Sequence, residues 1–340
     1  MLSTVTAVPR TSYLDLSDDD QVEALRPVAR AAAGAFGLDV ARLELAAHAY
    51  NTTFDVGTSD GGRYALRVNT NSTSTPAEVL AQQVWQLDLA EHTDVPVPEP
   101  QRTADGAWFA HVPSDLLGRS LLCTVARWLD GDDVGQPDEV QARALGRAMA
   151  QLHEQAAGWT LPEGGTMPVF DDPLFGDPDR LSTAAGLDAE AHEVLARARE
   201  LSAAALARVH ATGPVHAVHA DLHVGNLKWH EGRLAVLDFD DCGLGTPALD
   251  LAISAFYLRG GDPAPEREMR AGYAEVLPLP DTDPDDVEGL VAARQLLLSN
   301  DLLGTTTAEL RGEAVRYLGV TVQRLRHWLD TGAFTRAVAS

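Results

Sequence analysis

The chain has 340 residues, 45% of them apolar, and a formal charge of −24 at pH 7, so it holds enough apolar material for two cores. That charge excludes nucleic acid and anionic membrane surfaces as natural partners, because both demand basic patches; it suits a cationic small molecule or simply a solvated acidic surface. No apolar run is long enough to span a membrane, no signal peptide opens the chain, and Cys123 and Cys242 form no disulfide framework, so a cytoplasmic location is expected.

In chain order, Ser17 and the three aspartates after it start a helix, with Val22, Leu25, Val28, Ala32 and Phe36 at helical spacing and Gly37 as its stop. Thr53–Val56 and Arg63–Val68 alternate as strands around an Asp60-Gly61-Gly62 turn. Thr75-Pro76-Ala77-Glu78 is a capping box opening a helix to about Glu91, where Pro96, Pro98 and Pro100 bar continuation. Two extended runs follow, Ala107–Val112 and Ser120–Leu129. Beyond the break at Asp130-Gly131-Asp132-Asp133 the pattern turns helical: Val140–Ala157, Asp188–Val209, and then 247–259, 264–277, 284–303 and 307–331. Residues Pro162–Asp179 read as a loop. The predicted fold is therefore α+β: an N-terminal lobe over 1–126, a junction at 127–131 and a helical lobe over 132–340.

Between those helices lies the most informative stretch, His219-Ala220-Asp221-Leu222-His223-Val224-Gly225-Asn226, followed by Asp238-Phe239-Asp240. An Asp and an Asn five apart, with a second Asp after a short hairpin, is the spacing of a kinase-like phosphoryl-transfer site. Asp221 would accept or orient the hydroxyl proton of a substrate, while Asn226 and Asp238 would hold magnesium, a hard cation that takes few protein oxygens. Leu227-Lys228-Trp229, a turn at Glu231-Gly232-Arg233 and the run Leu234–Leu237 make the hairpin that brings the two ligands together. A rival reading puts His219, Asp221 and His223 on one face of a strand as zinc or iron ligands of a hydrolase, with His210, His216 or Asp238 completing the set.

On these motifs the chain resembles the aminoglycoside phosphotransferase / choline kinase-like superfamily of small-molecule kinases, from about residue 40 to 255. Leu152-His153, Trp128-Leu129-Asp130-Gly131 and Pro247-x-x-Asp250-Leu251-Ala252 are supporting marks. The resemblance implies a protein-kinase-like bilobal fold, with ATP or GTP and magnesium between the lobes. It implies a hinge at Arg127, Trp128 and Leu129 that pairs with the base through main-chain groups, and a bracing, structural role for Asp250, His153 and His219. Three departures stand out. Arg67 occupies the place of the phosphate-gripping lysine and keeps the charge; Lys228 is the only lysine in the chain. Gln82 stands where the family carries a glutamate, with Glu78 one turn earlier on the same face. Tyr50-Asn51-Thr52-Thr53 replaces a glycine-rich loop in the first hairpin. Asp240 would touch a second magnesium or the substrate, and His223 is a further supporting candidate.

The expected activity is ATP- and magnesium-dependent phosphorylation of a small-molecule hydroxyl, on an amino alcohol, an aminoglycoside or a related acceptor. Acidic loops at Asp171-Asp172 and Asp177–Asp179 suit a cationic acceptor, and Asp172-Pro173-Leu174-Phe175-Gly176 resembles homoserine-kinase-like and stress-response serine-kinase members. The alternative on the same fold, motivated by Arg67 and Gln82, is a catalytically weak nucleotide-binding protein.

Overall fold

The computed structural model describes residues 12–337, which form two compact units; the extreme N-terminus, where a signal peptide would lie, is outside them. The first unit comprises the residues up to Thr73, Gln101–Val125 and Thr305–Gly312. Its helix α1 (Asp18–Ala35) is capped by the Ser17 hydroxyl, which accepts from Asp20 N, with three aspartates at the positive end of the helix dipole. Five strands form one antiparallel sheet: β1 (Val40–His48), β2 (Thr52–Thr58), β3 (Arg63–Val68), β4 (Ala110–Ser114) and β5 (Arg119–Arg127), in the order β1-β2-β3-β5-β4. Leu25, Val28 and Ala32 of α1 bury against Phe54, Val56, Leu66, Val68, Leu121 and Cys123. Strand β1 was not expected. Its register against β2 shifts twice, and only Leu43 along it is buried, so it carries no clean two-residue alternation.

The second unit comprises Ser74–Pro100, Ala126–Gly304 and the described residues from Glu313 onward. It opens with α2 (Pro76–His92), where both bonds of the expected capping box at Thr75 and Glu78 are present. The sequence placed this helix in the N-terminal lobe. It packs instead in the second unit, because its Ala81, Trp85 and Leu89 share a core with Met149, Leu152 and Phe239. After β6 (Asp132–Asp133) come α3 (Glu139–Ala156) and α4 (Ala189–Thr212). Next are β7 (His216–Val218), β8 (Leu227–His230), β9 (Arg233–Val236) and β10 (Gly243–Gly245). The chain then runs through α5 (Pro247–Leu258), α6 (Ala264–Ala274), α7 (Pro284–Gly304) and most of α8 (Ala308–Thr331). All four closing helices were expected within a few residues.

Two short pairings frame the loop of interest. β7 pairs antiparallel with β10, and β8 with β9 across a two-residue turn whose Glu231 and Gly232 both have positive φ. Helices α3 and α6 cross so closely that a Cβ on Gly146 would collide with the Met269 carbonyl, and one on Gly272 with that of Arg143. Among the described residues no helix is long and apolar enough to cross a membrane.

Candidate active site

The loop from His219 to Asn226 hangs from β7 and is fixed from below by Asp250, the fourth residue of α5. Asp250 is fully buried and accepts three hydrogen bonds: from His219 N at 2.9 Å, Ala220 N at 2.6 Å and His153 Nε2 at 3.0 Å. Burial alone would raise its carboxyl, but the His153 ring and the His219 amide outweigh that and hold it below the usual carboxylate range. Ala220 sits at φ 62°, a left-handed conformation that an alanine adopts only under constraint. The two amide bonds to Asp250 supply the constraint.

That left-handed residue overturns the strand reading of His219, Asp221 and His223. The His219 ring lies 4.7 Å from Phe239, with Nε2 donating to the Leu237 carbonyl at 2.9 Å and Nδ1 accepting from Asp221 N at 3.3 Å. Both ring nitrogens are committed, so His219 has no lone pair for a metal. Among the described residues no group of three or more His, Cys, Asp or Glu side chains is arranged to hold a metal ion.

Asp221 follows in this loop, its side chain 13% exposed. Asn226 Nδ2 donates to its Oδ2 at 2.8 Å and to its carbonyl at 3.0 Å, and His223 Nε2 lies 3.4 Å from Oδ2. Its other oxygen is paired with Arg294 Nη2, from α7. Burial pushes the carboxyl up, yet Arg294 and His223 prevail and hold it at about 2. Arg294 itself is 5% exposed and donates Nη2 and Nε to the Tyr257 hydroxyl at 2.8 and 3.2 Å. The Tyr257 ring in turn stacks on His223 at 4.5 Å. Arg294 and Tyr257 escaped the sequence reading. The available signal was one arginine, followed by Gln295, inside the mostly apolar run Leu290–Leu297. Asp301, two turns further along α7, is also new; burial raises its carboxyl to about 7 against the pull of Arg294.

The hairpin brings its two ends together as expected, with Leu237 N donating to the Asn226 carbonyl at 2.8 Å. Asp238 follows at φ 62°. Since Asn226 commits its amide nitrogen to Asp221, Oδ1 is the atom it can offer a cation, and Asp238 adds a carboxylate. Two hard oxygen donors match magnesium, which completes its shell with water and phosphate, and do not match zinc.

The remaining sequence candidates fall as follows. Glu78 Oε2 accepts from Thr75 N at 2.7 Å, so its carboxylate serves the helix cap. Gln82 is buried and donates Nε2 to the Asp240 carbonyl at 2.7 Å, tying α2 to the turn after Asp238. Arg127 donates its amide to Glu99 O at 2.9 Å, which removes that group from any pairing with a base, while Trp128 and Leu129 are half-buried. In the first unit, Asn51 Oδ1 accepts from Asn71 N and Ser72 N at 3.1 Å, and Thr52 Oγ1 bonds His48 Nδ1 at 2.8 Å; both side chains brace the β1–β2 turn. Arg67 is half-buried on β3, on the face opposite Leu66 and Val68.

A family model described as "Phosphotransferase enzyme family" matches residues 42–289. Amicoumacin kinase of Bacillus subtilis (strain 168) is 24% identical over 224 residues, and that match spans just under two thirds of either protein, 65% of each. Among solved structures, a microcompartment-associated aminopropanol kinase superposes with a TM-score of 0.73 at 24% identity, covering 94% of this chain and 100% of that one. Amicoumacin kinase hAmiN, solved in complex with AMP-PNP, Ca2+ and Ami, gives 0.70 at 20% identity, covering 89% and 95%. These likenesses establish a kinase-like α+β fold, and with the family match over most of its length the chain belongs to the phosphotransferase enzyme family.

Proposed function

We propose that this chain transfers the terminal phosphoryl group of ATP or GTP to a hydroxyl of a small, amine-bearing molecule. The observation that carries the proposal is the Asp221 carboxylate, held between Asn226 and Arg294 in a loop braced by Asp250, with Asp238 at the neighbouring hairpin end. Phosphoryl transfer passes through a loose transition state and asks the protein mainly for position and charge. A carboxylate kept at about 2 is ionised at neutral pH and a weak base in the ground state. Asp221 therefore orients the acceptor O–H first. It takes the proton as the acceptor oxygen bonds to the γ-phosphorus and the bond to the leaving diphosphate breaks.

Asn226 Oδ1 and Asp238 would hold magnesium, which when bound neutralises phosphate charge. Arg67 would grip phosphate oxygens with its guanidinium fork. Trp128 and Leu129 would offer main-chain groups to the base. For the acceptor, Asp301 and the Asp177 charge near it supply the acidity that an amine seeks. An amino alcohol fits this set, and the aminopropanol kinase likeness supports the choice.

The test is transfer of label from γ-labelled ATP to separate pools of amino alcohols, aminoglycosides and neutral sugars, with magnesium present. Label is expected in the amino alcohol pool. Nucleotide hydrolysis without label in any acceptor would sink the proposal.

A further inference from the structure

Two arginines near the end of the second unit lie together, and among the described residues no carboxylate pairs with either. Arg324, on α8, and Arg336, in the segment after it, line an open cavity of about 430 Å³ together with Gln136, Val224 and Tyr257. Arg324 donates Nη1 to the Gln295 amide oxygen at 3.0 Å and Nη2 to the Arg336 carbonyl at 3.2 Å. Arg336 donates Nη1 to the Tyr257 carbonyl at 3.2 Å, and its guanidinium lies 5.2 Å from the Phe256 ring centre. Every one of these acceptors is neutral. The Nε of both arginines is buried and has no hydrogen-bond partner.

Three arginines that reach across between elements are treated differently. Arg143 pairs with Glu268 and Glu275, Arg259 with Glu266 and Glu288, and Arg208 with Asp286. A chain of charge −24 has acid to spare, yet no side-chain carboxylate of the described residues pairs with Arg324 or Arg336. Burial and the neighbouring Arg336 charge push the Arg324 guanidinium below its ordinary value, and Tyr317 offsets them only in part. Two like charges side by side are unfavourable, and one oxyanion with several acceptor lone pairs relieves their repulsion.

We propose that this cavity is a binding site for a small oxyanion, a phosphate or a carboxylate, gripped by Arg324 and Arg336 and walled by Tyr257. Guanidinium forks match the paired oxygens of such a group. Because the field of the whole chain repels anions, selectivity here is local. Tyr257 also links the cavity to the candidate catalytic loop: its carbonyl accepts from Arg336, and its hydroxyl accepts from Arg294, the partner of Asp221. Binding at the cavity does not require that the chain transfer phosphate.

Calorimetric titration of the full chain with inorganic phosphate, and separately with O-phosphoethanolamine, tests the site; the tighter of the two tells a free anion from one carried on an organic tail. Saturable binding is expected, weakened about tenfold or more in Arg324→Gln and in Arg336→Gln, with part of it kept in Arg324→Lys. Arg326→Gln, a change on the same helix as Arg324 that breaks an ion pair with Glu190 of α4, should leave it unchanged. Thermal melts of the free variants establish that each is folded. No saturable binding of either probe, equal binding in the Arg324→Gln and Arg336→Gln proteins, or an equal loss in Arg326→Gln would each overturn the proposal.

Discussion

Arg294, from the middle of α7, pairs through Nη2 with Oδ1 of Asp221, and both side chains are largely withdrawn from solvent. The pair explains why this carboxylate stays ionised despite burial. Removing one partner of a buried pair leaves the other charge uncompensated and costs roughly 3–5 kcal/mol. Arg294→Gln should lose stability of that order, read as a lower midpoint in guanidinium. The pH dependence follows with a definite sign. The native Asp221 value of about 2 lies below its ordinary value of 3.8, so its contribution is complete above the latter and is lost as pH falls towards the former. The variant should lack that acid limb; an NMR titration that leaves Asp221 at about 2 in Arg294→Gln would refute the pairing.

Asp250 holds two backbone amides and an imidazole at once. An asparagine offers one oxygen in place of two and turns an NH2 group towards at least one donor. Each donor left without an acceptor costs about 1–3 kcal/mol, so Asp250→Asn should be markedly less stable at pH 7 by chemical denaturation. Its depressed carboxyl contributes stability above the ordinary carboxylate value that fades on acidification. The gap between parent and variant should therefore narrow at pH 3, and an equal gap at both pH values would argue against the brace.

Gln82 stands where the resemblance led us to look for a glutamate, so Gln82→Glu looks like a repair. The structure argues the opposite. Gln82 Nε2 donates to the Asp240 carbonyl, and a glutamate would set a carboxylate against that oxygen. Gln82→Glu should be less stable by about 1–3 kcal/mol and no more active than the parent. A gain in turnover would show that the helix adjusts and that the resemblance was the better guide.

Asp238 adopts a left-handed backbone that asparagine tolerates at least as well. Asp238→Asn therefore removes charge without changing the turn. Nucleotide affinity measured by calorimetry should keep its metal-free value and lose most of its enhancement by magnesium, since a neutral amide is a poorer ligand for a hard dication. An undiminished magnesium effect would remove Asp238 from the proposed metal set.

Much of this was legible in sequence, for physical reasons that differ from element to element. Ser17 and Thr75 announce their helices because capping is local chemistry within one turn. The hairpin from Leu227 to Val236 is likewise local, with its turn at Glu231-Gly232. Strand β1 was hidden because two register shifts erase its alternation. Helix α2 was assigned to the wrong unit because nothing local says which core Trp85 enters. Arg294 lies 73 residues from Asp221 in sequence, and no spacing rule connects a helix interior to a loop that far away. The side chains of Asn51 and Thr52 stood at plausible nucleotide positions, but their commitment to Asn71, Ser72 and His48 is tertiary.

The central claim is that Asp221 meets the acceptor hydroxyl and does little for the nucleotide. The most direct measurement is the phosphoryl-transfer rate of Asp221→Asn at saturating ATP and magnesium, using the acceptor the labelled pools identify. Asparagine keeps the shape but cannot take the proton, and losing a positioned acid–base group lowers rates by about 10²–10⁴. The account predicts a loss in that range, with ATP affinity close to the parent's. Turnover at the parental rate would contradict it.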